Sequence, residues 1–413
     1  MPANGREFVH TLIAIKDVLQ ESQIEGLRIG PQTITGALIL DDDEKVVIYP
    51  SEWLSSLTET QAIAFSSAKT YARNMTYFLK FLRSRQEFFG LTLDESLLQV
   101  KRSVIEDWLI RLSEVEGLDR ATVRNRESCI RSFYEFVTDG ERRDPILDKT
   151  PFPEYYISPK PHKKQVVSAS LTDLVALMNE CRFERERLLF QFMYDAGVRI
   201  SEVERVTCGD IQEAINFTKS PFTGSDKLNK PVRPGYAPIL IRGSKGRRNS
   251  IKERYAIITT ATLKRIAAYH ASPLYKRYQV KSQDRMSFPA FLNTKGNPYN
   301  EDSLEKLIER RSKSALRKRL ITKSVHAHLF RHGSAYLTLE DPDLGQDFLD
   351  RLVNVQKTLG HASITTTELY TSIPHDIYNS IADSEMGTLK TKIDKMAEVV
   401  EHTKLRIRIG DRK

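Results

Sequence analysis

The sequence predicts a mainly α-helical protein with one small β-sheet, divided between a compact helical unit and a larger, mostly helical domain. Three observations carry this. Apolar residues recur at helical spacing through most of the 413 residues, a length that supports two or three domains with separate cores. One segment, "ILIRGSKGRRNSIKERYAII", reads instead as strand, basic turn, strand. Between the helical stretches, "TPFPEYYISPKPHKKQ" carries Pro151, Pro153, Pro159 and Pro161, a density that forbids regular structure and makes an extended linker.

Composition narrows the function classes. Hydrophobic residues at 40% and charged residues at 28% form an ordinary globular balance, which excludes wholesale disorder. The net charge of +9 points towards a polyanionic partner. Cys129, Cys181 and Cys208 stand far apart in no metal-like spacing and read as reduced, structural residues. The first twenty residues mix charges into their apolar positions, unlike a signal peptide, and no run approaches the roughly 18 apolar residues of a membrane span. The expectation is a soluble, cytoplasmic protein.

The elements follow in order. Residues 1–51 form an N-terminal extension, in which Phe8, Leu12, Ile15, Val18 and Leu19 predict a helix over 6–21. "TGALIL" and "VVIYP", around the acidic turn "DDDEK", predict a hairpin after it, so the extension is a short α/β unit. Residues 52–147 are helical. In "SSAKTYARNMTYFLKFLRSR", Ala68, Met75, Phe78, Leu79 and Leu82 make an apolar stripe, and Lys69, Arg73, Thr76, Lys80 and Arg83 a second one. "DRATVRNRESCIRSFYEFV" repeats the arrangement, with Val123, Ile130, Phe133 and Val137 against Arg120, Arg124 and Arg131. One basic face is ordinarily solvated surface; two in one compact unit predict a phosphate-binding surface. The linker, 148–166, adds Lys160, Lys163 and Lys164, suited to a strap along DNA.

The larger domain, 167–385, holds the chemistry, and the tail, 386–413, follows it. In "YDAGVRISEVERV", Gly197 ends one helix and Ser201 with Glu204 offers a capping box for the next. Arg199 falls at the junction, with Glu202 one turn away to hold its guanidinium. In "KSVHAHLFRHGSAYL", His328, Arg331 and His332 share one helix face. In "LGHASITTTELYT", Gly360 ends a helix whose stripe is Phe348, Leu352, Val355 and Leu359. His361 lies in the turn after it and Tyr370 on the next helix. Lys245 sits in the basic β-turn. Taken singly, each has a bland reading: an ion pair for Arg199 and Glu202, a solvated Lys245, a packed Tyr370. Zinc on His328 and His332 is disfavoured, because the helix lacks the H-E-x-x-H glutamate and no third ligand is evident. The tail places Leu389, Ile393, Met396, Val399 and Val400 on one helix face, open to docking on a partner subunit or on its own domain.

In this order the segments resemble the tyrosine recombinase (phage-integrase-type) family. "GVRISE" resembles its first arginine box and "SKG" its lysine turn. "HLFRHGSA" is similar to its H-x-x-R-H box, and "LGHASITTTELYT" to its L-G-H-x(8)-Y box. The resemblance covers 167–380 and extends loosely to 52–147. It implies a helical, SAM-like core-binding domain followed by an α+β tyrosine-recombinase catalytic domain. It implies that Tyr370 attacks a DNA phosphodiester to give a 3′-phosphotyrosine, with Arg199 and Arg331 stabilising the phosphate charge. Lys245 would protonate the leaving 5′-oxygen, His328 would manage the tyrosine proton and His361 would bond the phosphate. Glu202 and His332 would support them. Such chemistry conserves the bond energy, so neither ATP nor a metal cofactor is required.

Implied partners are double-stranded DNA at specific recombination sites and a homotetramer, one dimer per site, with the C-terminal helix a candidate subunit contact. The place of work is then the nucleoid. Relative to compact members, 211–238 and "EDPDLGQD" (340–347) are extra, the lysine turn reads "GSKGRRN", and His326 precedes the box in "HAH". The extension and insertions suit a mobile-element integrase or transposase better than a chromosome-dimer resolvase. Two alternatives are a type IB topoisomerase, disfavoured by the L-G-H box and compact helical domain, and a silent DNA-binding protein, which would lack a tyrosine or arginine.

Overall fold

The computed structural model describes residues 10–20, 23–24, 27–28, 32–140, 145–162, 166–219, 233–245, 251–345, 347–360 and 390–405, without side chains at 10–35, 65–66, 244–245 and 251–252. The chain is mainly helical with small antiparallel sheets, and it divides into two compact units, residues 1–164 with 245–250 and residues 165–244 with 251–413.

The first unit opens with strand, not helix. β1 (His10–Gln20) pairs antiparallel with β4 (Gln32–Leu40), and between them β2 (Gln23–Ile24) pairs with β3 (Leu27–Arg28). The helix expected over 6–21 is corrected by the register. Leu12, Ile15 and Val18 pair with Leu38, Gly36 and Ile34, so two irregularities make three residues of β1 match two of β4. Apolar residues three apart on a bulged strand imitate helical spacing. The second strand of the expected hairpin is corrected too: Val46 makes only an isolated bridge to Leu40, and α1 (Ile48–Glu59) starts directly afterwards. Its cap comes from a distance. The Asp94 carboxylate accepts from the amides of Ile48 and Tyr49, each at 2.9 Å, while no local side chain does so. The expected boundary at 51/52 therefore falls inside a helix.

α2 (Phe65–Arg83), α3 (Leu93–Leu98), α4 (Arg102–Ile110) and α5 (Arg120–Val137) complete this unit. Ala37 and Ile39 of β4, Trp53 of α1, Phe78 of α2, Trp108 of α4 and Phe133 of α5 share one core. The proline-rich linker packs on α5 instead of lying free. Buried Glu127 accepts from the amides of Ile157 and Ser158, both at 2.8 Å, and Phe152 joins the core.

In the second unit, α6 (Leu171–Asn179), α7 (Glu184–Ala196), α8 (Ile200–Val203) and α9 (Cys208–Lys219) precede the β5 (Tyr236–Lys245) and β6 (Ile251–Thr259) pair. The excursion expected over 211–238 thus begins as helix. α10 (Thr260–Ala271), α11 (Pro273–Gln279), α12 (Glu301–Arg317), α13 (Ala327–Leu339) and α14 (Phe348–Leu359) follow. Helix α7 is buried from Arg185 to Ala196, as a central element must be.

The tail helix, α15 (Lys392–Thr403), packs on this same unit, so of the two dockings left open for its apolar face the structure shows the one on its own domain. Met396 and Val399 enter that core. Alongside them, α7 presents Arg187, Gln191 and Asp195 at every fourth position. Arg187 donates to the Thr403 carbonyl at 2.5 Å and Gln191 to that of Met396 at 3.4 Å. The Lys392 ammonium, fully buried, donates to the Asp195 carbonyl at 2.7 Å and stands 3.3 Å from its carboxylate. Asp341, from the extra segment 340–347, accepts the Lys392 amide at 3.1 Å. Breaking a buried ion pair from one side costs about 3–5 kcal/mol. Lys392→Ala should therefore lower the melting temperature by several degrees, and adding Asp195→Asn should recover part of the loss. Unchanged melting in the single variant would show that the pair does not hold the tail.

Candidate active site

Two helices end at the site in the same way. Gly197 closes α7 at φ 60° and Gly360 closes α14 at φ 66°, both left-handed. A Cβ on Gly197 would meet Leu359 Cδ2 at 2.8 Å and Ser334 Oγ at 2.9 Å, so glycine is needed for space as well as for conformation. Arg331, on α13, lies between these ends and is only 2% exposed. Its Nη1 donates to the Gly197 carbonyl at 2.6 Å and its Nη2 to the Leu359 carbonyl at 2.5 Å. Helix C-termini leave carbonyls without intrahelical partners and carry partial negative charge. One guanidinium answers both.

Arg199 follows two residues after Gly197, at the N-cap of α8. The expected Ser201–Glu204 box does not form; Glu202 takes the capping role. Its Oε2 accepts from the Arg199 amide at 2.8 Å and its Oε1 from Arg199 Nη1 at 2.9 Å. Glu202 is fully buried, which alone would raise its pKa. Arg254, the Arg199 amide, Arg199 and Arg331 outweigh burial and hold the carboxyl below its ordinary value. The Arg199 side chain stays 38% exposed, so it is the open cation of the pair with Arg331.

Arg254 is the residue that motif reading missed. It donates from Nη2 to Glu202 Oε2 and from Nε to the Thr358 carbonyl, both at 2.9 Å. A signal was available in strand alternation. Arg254 shares parity on β6 with buried Ala256 and Ile258, and a charge at an inward-facing position demands a partner.

His328 and His332 stand with ring centroids 4.4 Å apart, edge to face. Partial burial, then Arg331, His326 and Arg199, hold His328 below the usual histidine pKa, so its ring is neutral at pH 7 and can accept a proton. No group of three metal-ligating side chains occurs among the described residues. Lys245 is the last residue of β5, and Arg205 donates to the carbonyl of Gly243 two residues before it. The Lys245 side chain, His361 and Tyr370 lie outside the described residues.

On the first unit, Lys69, Arg73 and Lys80 of α2 and Arg120 of α5 are exposed, whereas Thr76 is buried and Arg83 pairs with Asp42. The second basic face needs correction. Arg131 donates to the carbonyls of Pro153 at 2.6 Å and Tyr155 at 2.8 Å, and Arg124 to that of Ser158 at 2.9 Å. Arg124 also lies 4.0 Å from the Tyr156 ring centroid. These two arginines bind the linker. Lys163 and Lys164 lie outside the described residues.

The Glu202 geometry sets a pH-dependent expectation. A carboxyl whose folded pKa lies below its unfolded value of about 4.3 adds stability in full above that value and loses it as pH falls through the folded one. Glu202→Gln should therefore be much less stable than the wild type at pH 7, with the gap narrowing below about pH 4. Thermal melts across that range check it, and a pH-independent gap would refute it.

Residues 168–375, just over half of the chain, match the Phage integrase family. The tyrosine recombinase XerD of Halalkalibacterium halodurans is 23% identical over 318 residues, 76% of this chain and 89% of that protein. The structure of XerH site-specific recombinase bound to a palindromic difH substrate matches with a TM-score of 0.54 at 19% identity, over 82% of this chain and 85% of that one. The Tn1549 transposon integrase in complex with transposon right-end DNA gives 0.51 at 15% identity, over 82% and 99%. The glycine-closed helices, the braced arginines and the family match converge on one conclusion: this chain belongs to the phage integrase family of tyrosine recombinases.

Proposed function

We propose that this chain is a site-specific DNA recombinase that cleaves and rejoins strands through a 3′-phosphotyrosine on Tyr370. The observation that carries this is the brace of Arg331 between Gly197 and Leu359, which fixes the Arg199 segment and the start of the L-G-H segment to one point. In the reaction, the Tyr370 phenolic oxygen bonds to phosphorus as the P–O5′ bond breaks. The phenolic proton passes towards neutral His328, and the leaving 5′-oxygen takes a proton from Lys245. Arg199 and Arg331 face the charge growing on the non-bridging oxygens, with planar donor forks suited to them. His361 adds a hydrogen bond to the same phosphate, and His332 supports His328. The reverse attack by a 5′-hydroxyl rejoins the strand, so no ATP enters.

Exchange between two duplexes requires four such sites, which supports a homotetramer built as one dimer per site. Lys69, Arg73, Lys80 and Arg120 supply the open phosphate-binding face of the first unit. The fold likeness to a transposon integrase, with the β1–β4 extension and the extra segments, supports a role in moving a mobile element.

Incubating the protein with a randomised duplex pool and recovering denaturant-resistant adducts tests this. Wild type should capture DNA, and Tyr370→Phe should bind DNA without forming an adduct. Arg199→Ala and Arg331→Ala should slow capture by about 10²–10³. EDTA should have no effect. An adduct mapped to Tyr378, or inhibition by EDTA, would overturn the assignment.

A further inference from the structure

Arg254 joins two parts of the site that are far apart in sequence. It is 10% exposed, on β6, and reaches Glu202 with one nitrogen and the Thr358 carbonyl with another. Its third nitrogen, Nη1, is buried and has no hydrogen-bond partner. Gly360 closes over it: a Cβ there would stand 2.3 Å from Arg254 Cδ and 3.0 Å from Nε. The chain leaves this contact directly into the segment carrying His361 and Tyr370.

We propose that Arg254 is a positioning residue for strand cleavage, holding Glu202 against Arg199 on one side and the end of α14 on the other. The inference rests on the recombinase reading and adds a residue to it. Two consequences follow from charge and geometry. Glu202 faces Arg199 from its own helix start, Arg254 from β6 and Arg331 from α13. With both neighbouring arginines present, Glu202 neutralises one of them, and a net positive charge remains for a phosphate. Without Arg254, Glu202 would cancel Arg199 and leave the phosphate only Arg331. The second consequence is mechanical. The Nε tether to Thr358 fixes where the polypeptide enters the L-G-H segment, so losing it lets the nucleophile's segment drift. Misplacement of about 1 Å can cost about 10² in rate.

The test uses full-length protein and a duplex recovered by wild-type capture from the randomised pool. Single-turnover adduct formation is read at saturating protein from about pH 4.5 to 8, beside duplex affinity and melting temperature. Arg254→Met should slow adduct formation by about 10² while duplex affinity stays near that of the wild type. It should bring a Glu202 limb up into this range, beside the one that His328 gives the wild type, because Glu202, buried and missing one of the two arginines in contact with it, takes up a proton sooner. A purely structural role would not move that limb. Arg254→Lys keeps the charge but not both tethers, so its acid limb should stay at the wild-type position with the rate lowered about tenfold. An Arg254→Met protein with the wild-type rate and limb overturns the inference. If that variant does not fold, Arg254→Lys decides: a wild-type rate overturns the inference, and a tenfold loss at wild-type melting temperature supports it. Wild type that captures no DNA would bring down the functional reading and this inference with it.

Discussion

A single guanidinium holds the catalytic unit's two decisive helix ends together. Arg331 fills the space between the left-handed closures of α7 and α14 and donates to the last carbonyls of each. Each closure places a site segment: Arg199 two residues beyond one, the L-G-H turn directly beyond the other. The glycines make the approach possible and the arginine makes it stable, since carbonyls at buried helix ends otherwise go unanswered. A substitution here would damage folding and chemistry together.

Around this brace, the arginines divide their work. Arg331 is buried and bonded to backbone, Arg254 is buried and bonded to Glu202, and Arg199 stays partly open to solvent. Arg199 is the most exposed of the three and the first to meet an incoming anion. The first unit shows the same division. Exposed basic residues on α2 remain at the surface, while Arg124 and Arg131 turn to the linker's carbonyls and tyrosines. Counting positive charges on a helix face therefore overstates the phosphate-binding surface.

The sequence was most legible where period and spacing are set locally. The stripes of α2 and α5, the glycine stops at 197 and 360, the β5–β6 pair and the shared face of His328, Arg331 and His332 all follow from short-range rules. It was least legible where a partner arrives from far along the chain. β1 imitates a helix because bulges in its pairing with β4 change its period. α1 begins at Ile48 because Asp94, from another helix, caps it. Arg254 hides between motif boxes, and its partners lie 52 and 104 residues away. The apolar stripe of the tail was visible, but Lys392 as its largest fully buried side chain was not, because Asp195 has to be in place first.

The seat beneath the tail helix has one more consequence. Apolar contacts with Met396 and Val399 make up only part of it; the rest is Arg187, Gln191, Asp195 and Arg265, bonded to the helix backbone or its Lys392. Such a seat holds by register: the helix fits only where its carbonyls and its first-turn lysine meet these side chains, so a shift of one residue along the axis would lose the polar contacts together.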